Sequence, residues 1–141
     1  MRRAIELAHL CPPAARAFSV GAVIIDEDGQ EIAWGYSRES DPRVHAEESA
    51  LSKLRRGDPR LGTATLYSTL EPCSHRASRP TPCTRLILDA GIRRVVIAWL
   101  EPNLFVEDCV GVRMLTEHGA EVTQLTELAE AAMEPNRHLA L

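Results

Sequence analysis

Aromatic side chains are scarce in this chain of 141 residues: Phe, Tyr and Trp together make up 4% of it. Proteins that bind single-stranded nucleic acid stack the bases on aromatic side chains within basic grooves. An excess of basic residues is lacking too, because the formal net charge is -4. Both absences argue against a nucleic acid as the partner.

Long hydrophobic runs are also missing. No apolar stretch approaches the roughly 20 residues that a membrane-spanning helix needs, and the N-terminus, residues 1–6, is charged and has no secretory apolar core. Four cysteines in an acidic chain without a signal segment indicate a reducing compartment and a metal rather than disulfides. We therefore expect a cytoplasmic protein with no membrane partner.

The hydrophobic pattern predicts strands that alternate with helices after an initial helix and hairpin. The length suits one domain, residues 1–141. The predicted helices cover residues 2–10, a segment from His45 to a stop at Gly57, and residues 83–90, 110–118 and 126–139. The predicted strands cover residues 20–25, 31–36, 63–70, 94–99 and 121–125. This order favours an α/β fold in which a mixed five-stranded sheet is flanked by helices.

Metal-ligating side chains recur at three places along this pattern. His45 and Cys83 begin predicted helices, and Cys73 follows Pro72 in a loop. Taken singly, each residue is more often structural than a ligand. Together, a His-x-Glu motif followed by Pro-Cys and a second Cys matches the zinc-deaminase signature in outline. The sequence therefore predicts that His45, Cys73 and Cys83 bind Zn²⁺ and leave one position open, as catalytic zinc sites do.

Glu47 follows His45 by two residues and is not needed as a ligand. A structural alternative is a carboxylate in the first helical turn, where the helix dipole favours negative charge. Beside a zinc site, we predict instead that Glu47 carries a proton to a ring nitrogen and then to the departing amine, which leaves as ammonia.

The two cysteines of the motif are separated by nine residues, 74–82, where the shortest form of the signature has two. A long loop between ligands need not disturb the metal. It adds polar groups beside it, namely Ser74, His75, Arg76, Ser78, Arg79 and Thr81.

Over nearly its whole length, the chain resembles the deaminase domain of the bacterial riboflavin-biosynthesis enzyme, within the cytidine-deaminase-like superfamily. The segments that carry the resemblance are residues 20–24, 45–51, 69–75, 81–83, 90–92, 95–98 and 101–103. The resemblance implies a three-layer α-β-α fold and hydrolytic deamination of a diaminopyrimidinone that carries a ribosylamino 5′-phosphate.

The resemblance also implies roles for individual residues. His45, Cys73 and Cys83 would be the zinc ligands, and Glu47 the proton shuttle. Substrate contacts would come from His75, Arg79 and Thr81 facing the ribose phosphate, and from Asn103. An arginine beside a phosphate is physically sensible, although an exposed polar loop is the alternative for these positions.

The chain departs from the riboflavin enzymes at three points. Residues 17–19 read Ala-Phe-Ser where those enzymes carry Pro-Asn-Pro, which leaves recognition of the base and sugar open. The loop after His75 lacks their usual glycine and is one residue longer. The chain ends at Leu141, where the bifunctional enzymes continue into a reductase, so we expect either a free-standing deaminase or an excised domain.

Residues 18–22 also resemble cytidine deaminases, which hold ribose hydroxyls with an Asn and a Glu after the second strand. Ser37 and Glu39 fall near those positions, so Glu39 is a sugar-binding candidate, with a solvated loop charge as its alternative. Cytidine, deoxycytidylate, cytosine or another nucleobase compound, including one of specialised metabolism, therefore stays open as the substrate.

Two other functional interpretations compete with that of a small-molecule deaminase. A non-catalytic zinc module would need four protein ligands, for which Cys11 or Cys109 is available, but it would not need Glu47. A nucleic-acid-editing deaminase is disfavoured by the charge and the few aromatic residues.

The resemblance suggests a homodimer or a larger homo-oligomer. Trp99, Leu104, Phe105 and Val106 are either partly interfacial or part of the core and loops.

Overall fold

A five-stranded sheet forms the centre of the chain in a computed structural model that describes residues 1–105 and 109–139. The strands are β1 (Gly21–Ile25), β2 (Glu31–Tyr36), β3 (Thr65–Leu70), β4 (Arg94–Trp99) and β5 (Glu121–Gln124). They are ordered β2-β1-β3-β4-β5. β1 is antiparallel to both of its neighbours, whereas β3, β4 and β5 are parallel. The predicted mixed five-stranded sheet is confirmed.

Helices cover both faces of this sheet. They are α1 (Arg2–Ala8), α2 (Ala46–Ser52), α3 (Cys83–Asp89), α4 (Gly111–Glu117) and α5 (Ala129–Met133). α2 packs on β1 and β2 and contacts α3, which contacts α4, while α1 packs on β1 and contacts α5. The molecule therefore has the three α-β-α layers that were predicted.

Side-chain alternation in the hairpin explains why the sheet is covered on both sides. Ala22 and Ile24 of β1 belong to the main core and lie opposite Gly35 and Ala33 of β2. Val23, between them, packs instead in a second cluster with α1 residues. Successive side chains of a strand point to opposite faces, so an apolar run such as β1 marks a strand buried on both sides.

The ends of several elements differ from the prediction. The final segment is a single helix in the prediction but consists of a 3-10 turn (Thr126–Leu128), α5, and a second 3-10 segment (Glu134–Leu139). Pro135 explains the break, because proline has no N–H to donate and its ring clashes with the preceding turn. An unpredicted 3-10 turn, Pro59–Gly62, begins where the Asp58 carboxylate accepts a hydrogen bond from the Arg60 amide at 3.0 Å.

The four residues considered for an interface have different surroundings. Trp99 is buried, and its ring meets that of Phe18 edge-on at 5.6 Å between centroids. Leu104 and Phe105 are exposed, and Val106 lies outside the described residues. Of the two roles considered for Trp99, interface or core, the structure shows packing in the core. In the described part of the chain, no helix has the length and apolarity to span a membrane.

Gly35 is the point at which β2 and α2 come closest. A Cβ there would lie 2.5 Å from Ala46 O and 2.5 Å from Ala50 N, both backbone atoms of α2. We therefore predict that Gly35→Ala lowers the free energy of unfolding by about 1–3 kcal/mol, the usual cost of overpacking. Urea denaturation measures this loss. Gly62→Ala is the matched control, since nothing lies within 4 Å of its added Cβ; equal stability of the two variants would contradict the close packing.

Candidate active site

The three predicted ligands form one cluster. His45 Nδ1 lies 3.6 Å from Cys73 Sγ and 3.5 Å from Cys83 Sγ, and the ligand atoms of all three residues lie within 4.8 Å of one another. Cys11 and Cys109, the other cysteines of the chain, are free thiols outside this cluster. A fourth protein ligand, which a closed structural site requires, is therefore not supplied by either cysteine.

The separations between these atoms fit zinc. A tetrahedral ion with Zn–S near 2.3 Å and Zn–N near 2.05 Å places a sulfur and a nitrogen ligand about 3.6 Å apart. The observed separations of 3.5 and 3.6 Å agree with that value. Two thiolates and one imidazole also form a soft ligand set that suits zinc rather than magnesium or calcium.

Each ligand is positioned by the end of a regular element. His45 is the N-cap residue of α2 with extended backbone angles, and Cys83 is the first residue of α3. Cys73 lies three residues after β3. The Cys83 amide donates a hydrogen bond to Cys73 Sγ at 3.2 Å, and the Thr84 amide donates to Cys73 O at 3.2 Å. The start of α3 thus fixes the Cys73 loop directly.

The surroundings of the two thiols favour ionisation at Cys73. A hydrogen bond from the Cys83 side chain, assisted by His45, lowers the pKa of Cys73 to about 4. The pKa of Cys83 is raised by the same partner and by burial. For His45, burial is outweighed by the hydrogen bond to Cys73, which raises the pKa of the imidazole. A zinc ion held here would bind both cysteines as thiolates, so its binding would release protons and would depend on pH.

Glu47 is buried beside the cluster without being part of it. Its Oε1 accepts a hydrogen bond from Ser68 Oγ at 2.8 Å. Burial raises the pKa of Glu47 above its ordinary value. A buried carboxylate that is fixed by one hydroxyl and shares a cavity with metal ligands is suited to accepting and releasing a proton.

Arg76 brings positive charge close to the thiols. Its side chain is buried, and its Nη1 lies 2.8 Å from Glu48 Oε2 and 4.0 Å from Cys83 Sγ. Glu48 Oε2 also accepts a hydrogen bond from the His45 amide at 3.3 Å. The Arg76–Glu48 pair thereby links the loop between the cysteines to the first turn of α2.

A cavity of about 380 Å³ opens beside the cluster. His45, Glu47 and Cys73 line it, whereas Cys83 is fully buried and is not among the lining residues. Of the residues predicted to bind substrate, Ser37 and His75 also line the cavity. The Ser37 hydroxyl is held by the Val20 amide at 3.1 Å, whereas His75 is exposed.

The structure does not bring the other predicted substrate contacts to this cavity. Glu39 accepts hydrogen bonds from Ser49 Oγ and from Lys53 Nζ, the latter at 2.7 Å. Arg79, Thr81 and Asn103 are likewise absent from its described lining. For Glu39 and Arg79, ion pairs with Lys53 and with Asp41 and Glu48 hold the side chains elsewhere.

Two carboxylates that were not singled out contribute to the cavity wall. Glu71 is buried, and its oxygens accept hydrogen bonds from the Glu101 amide at 3.1 Å and the Val112 amide at 2.8 Å. Burial raises the pKa of Glu101 to about 7. Glu71 directly follows β3, and Glu101 lies two residues after β4. Both therefore lie at the carboxyl edge of the sheet, where ligands of α/β proteins commonly bind, and this position in the sequence could have identified them.

Ser68 is another residue at the site that the sequence argument missed. It lies on β3, opposite Ala22 of β1 and Ile97 of β4, and is completely buried. A polar residue at a core-facing position of a strand needs a partner, and Glu47 is that partner. In the sequence, the sign of this role was a serine between Leu66 and Leu70 on an otherwise apolar face of β3.

Comparison with known families gives one match that covers most of the chain. Residues 1–99 match the model of the cytidine and deoxycytidylate deaminase zinc-binding region. All three cluster residues and Glu47 fall inside that segment.

Individual relatives carry riboflavin-biosynthesis names. A diaminohydroxyphosphoribosylamino-pyrimidine deaminase from Schizosaccharomyces pombe is 42% identical over 126 residues, which are 88% of this chain and 31% of that protein. The crystal structure of a diaminohydroxyphosphoribosylaminopyrimidine deaminase/reductase from Thermotoga maritima matches 96% of this chain and 37% of that one, with 38% identity and a TM-score of 0.76. The chain thus spans about a third of the length of the curated relatives it matches.

A third similarity concerns a deaminase studied without its C-terminal part. The crystal structure of the Aspergillus oryzae Rib2 deaminase, a C-terminal deletion mutant, is 26% identical and has a TM-score of 0.80. The match covers 95% of this chain and 86% of that one. This similarity supports the three-layer fold over nearly the whole chain.

Removal of either cysteine ligand tests the metal centre. We predict that Cys73→Ala and Cys83→Ala each lose most of the bound zinc, because two ligands rarely hold zinc where three are needed. Elemental analysis of the purified proteins measures the metal per chain, and circular dichroism monitors folding. Cys11→Ala is the matched control and should keep its zinc. A folded Cys73→Ala protein with full zinc content would mean that the cluster is not the metal site.

Proposed function

Because the chain belongs to the cytidine and deoxycytidylate deaminase family, we propose that it is a zinc-dependent hydrolase that releases ammonia from an aminopyrimidine nucleotide. The proposed substrate is the diaminopyrimidinone with a ribosylamino 5′-phosphate that riboflavin biosynthesis uses. The proposal includes His45, Cys73 and Cys83 as zinc ligands and Glu47 as the residue that transfers protons.

The observation that carries this proposal is the position of Glu47. The carboxylate lines the cavity together with His45 and Cys73, is held by Ser68, and stands outside the ligand cluster. A purely structural zinc site has no use for a buried carboxylate that does not ligate. A cavity large enough for a small heterocycle, next to an incomplete ligand set, favours catalysis.

Bound zinc would supply an acidic water as the nucleophile. Glu47 then performs the proton transfers of the reaction. It takes one proton from the attacking water and delivers it to a ring nitrogen; after the water oxygen has bonded to carbon, it takes the second proton from that hydroxyl and passes it to the departing amine. Water replaces the amino group as a carbonyl oxygen, and ammonia leaves. Ser68 acts as a positioning residue, because its hydrogen bond to Oε1 fixes the orientation of the carboxylate.

Support for the pyrimidine nucleotide comes from the named relatives. The Schizosaccharomyces pombe and Thermotoga maritima proteins are called diaminohydroxyphosphoribosylaminopyrimidine deaminases, and both are more than 35% identical to this chain. The departure at residues 17–19 lies beside the cavity, since Ala17 and Phe18 line it. A different base-recognition loop is therefore the main reason for testing other substrates alongside the proposed one.

The substrate is tested by ammonia release across a panel. The panel contains the riboflavin-pathway nucleotide, cytidine, deoxycytidine, their monophosphates, cytosine, guanine and adenosine. We expect the zinc-loaded protein to turn over the riboflavin-pathway nucleotide in preference to the others. Turnover of a cytosine compound instead would overturn the substrate while keeping the chemistry.

Substitution of Glu47 separates chemistry from metal binding. We predict that Glu47→Gln retains zinc and its fold but loses about 10²–10⁴-fold in kcat, the usual contribution of a positioned proton donor and acceptor. Zinc content is measured on the same preparation by elemental analysis. Glu48→Gln is not a suitable control, because Glu48 pairs with Arg76. Glu130→Gln, on exposed α5 surface, is the matched control; wild-type kcat in Glu47→Gln would exclude the proton role.

Location and assembly complete the proposal. Cys11 and Cys109 are free thiols, and Cys73 and Cys83 are the proposed zinc ligands, so the cysteine usage supports a reducing compartment and the cytoplasm. Exposed Leu100, Leu104 and Phe105 support a homodimer or a larger homo-oligomer. Sedimentation equilibrium measures the assembly, and a monomer at micromolar concentration would contradict it.

A further inference from the structure

Four arginines line the catalytic cavity: Arg16, Arg38, Arg43 and Arg76. Arg76 is paired with Glu48, but the other three form no ion pair with any carboxylate of the described residues. Arg16 and Arg43 are also exposed, whereas the cavity carboxylates Glu47 and Glu71 are buried. The third cavity carboxylate, Glu101, is partly buried, and burial raises its pKa to about 7. The rim of the cavity therefore carries unneutralised positive charge, although the net charge of the chain is -4.

Arg38 fixes the segment that carries Arg16. Its backbone has a φ of 64°, which is uncommon for a residue with a side chain. From this position its guanidinium donates hydrogen bonds to Pro12 O at 2.9 Å, Phe18 O at 2.9 Å and Ser19 Oγ at 3.0 Å. These three bonds hold both ends of the eight-residue segment 12–19 against the turn that follows β2.

The same segment is held from its other side by the C-terminal 3-10 segment. Asn136 is completely buried; its Oδ1 accepts a hydrogen bond from the Ser19 amide at 2.6 Å, and its Nδ2 donates one to Ser19 O at 3.0 Å. A His138 ring nitrogen lies 2.8 Å from Ala14 O. Arg16 thus extends from a backbone with fixed anchors on both sides, which lowers the entropy lost when its side chain binds a ligand.

Arg43 is presented in a similar way. The buried Arg76 donates a hydrogen bond to Arg43 O, and Asp41 Oδ1 accepts one from the Arg43 amide at 2.7 Å. The guanidinium of Arg43 takes part in neither bond. Arg38, which is partly buried, therefore holds the segment that carries Arg16, and the buried Arg76 holds the backbone of Arg43. The exposed side chains of Arg16 and Arg43 line the cavity.

Arg79 differs from these residues. Its Nη2 lies 2.8 Å from Asp41 Oδ2, and its Nε lies 3.0 Å from Glu48 Oε1. It is not among the residues that line the cavity. A guanidinium already bound to two carboxylates attracts a further anion less than a free one does, because much of its charge is neutralised and its donors are occupied.

We propose that Arg16 and Arg43, and not Arg79, form the subsite that binds the phosphate monoester of the substrate. Guanidinium groups match the geometry of phosphate oxygens and donate two parallel hydrogen bonds to them. With the phosphate at the rim, the heterocycle extends inward to Glu47 and the ligand cluster. This inference rests on the proposed function for the identity of the substrate, but the arginine pair itself is testable without turnover.

Direct binding tests the subsite first. Ribose 5-phosphate is titrated by calorimetry into the zinc-loaded protein, with ribose as the probe that lacks phosphate. We expect Arg16→Gln and Arg43→Gln each to weaken ribose 5-phosphate binding about tenfold, the effect of losing a hydrogen bond to a charged group. Arg56→Gln removes the same charge from an exposed turn outside the cavity and should bind as the wild type does.

The outcome for Arg79→Gln decides between the two assignments. A phosphate-selective loss in Arg79→Gln, with Arg16→Gln and Arg43→Gln equal to Arg56→Gln, would overturn the proposal. So would a wild-type protein that binds ribose 5-phosphate no better than ribose.

Kinetics then separates this inference from the proposed function. With the riboflavin-pathway nucleotide as substrate, Arg16→Gln and Arg43→Gln should each raise KM about tenfold. For the dephosphorylated compound, kcat/KM should stay unchanged. Equal losses on both compounds would overturn the phosphate assignment. If the wild type does not turn over this nucleotide but the arginine variants still lose ribose 5-phosphate binding, the proposed substrate fails and the subsite stands.

Discussion

A metal centre requires ligand atoms from His45, Cys73 and Cys83 to converge on one point. The architecture around them brings these atoms within 4.8 Å of one another. β3 delivers Cys73 at its carboxyl edge, while α2 and α3 begin side by side on one face of the sheet. The hydrogen bond from the Cys83 amide to the Cys73 sulfur fixes two of the three ligand residues relative to each other.

Charged side chains surround the ligand cluster in two layers. Close to the thiols, the buried Arg76 and its partner Glu48 link the cysteine loop to the start of α2. Farther out, exposed arginines at the rim face the cavity from segments that other side chains hold in place. The inner layer stabilises the geometry of the metal centre, whereas the outer layer is available for recognising substrate.

Much of the fold and of the metal centre could be predicted from the sequence, because both depend on local rules. The apolar run of β1, the stop at Gly91 and the His-x-Glu spacing each carry their information within a few residues. The substrate contacts could not be predicted in the same way. Whether Glu39 or Arg79 reaches the cavity depends on distant partners, Lys53 in one case and Glu48 in the other. Pairings of this kind become visible only when the segments are placed in space.

Zinc K-edge X-ray absorption of the metal-loaded protein tests the central claim most directly. A catalytic centre built from His45, Cys73 and Cys83 predicts two sulfur neighbours near 2.3 Å and two lighter neighbours near 2.0–2.1 Å, one of them an exchangeable oxygen ligand. Three or four sulfur neighbours would contradict the account, because they would require Cys11 or Cys109 in a closed structural site, with no position left for the reaction.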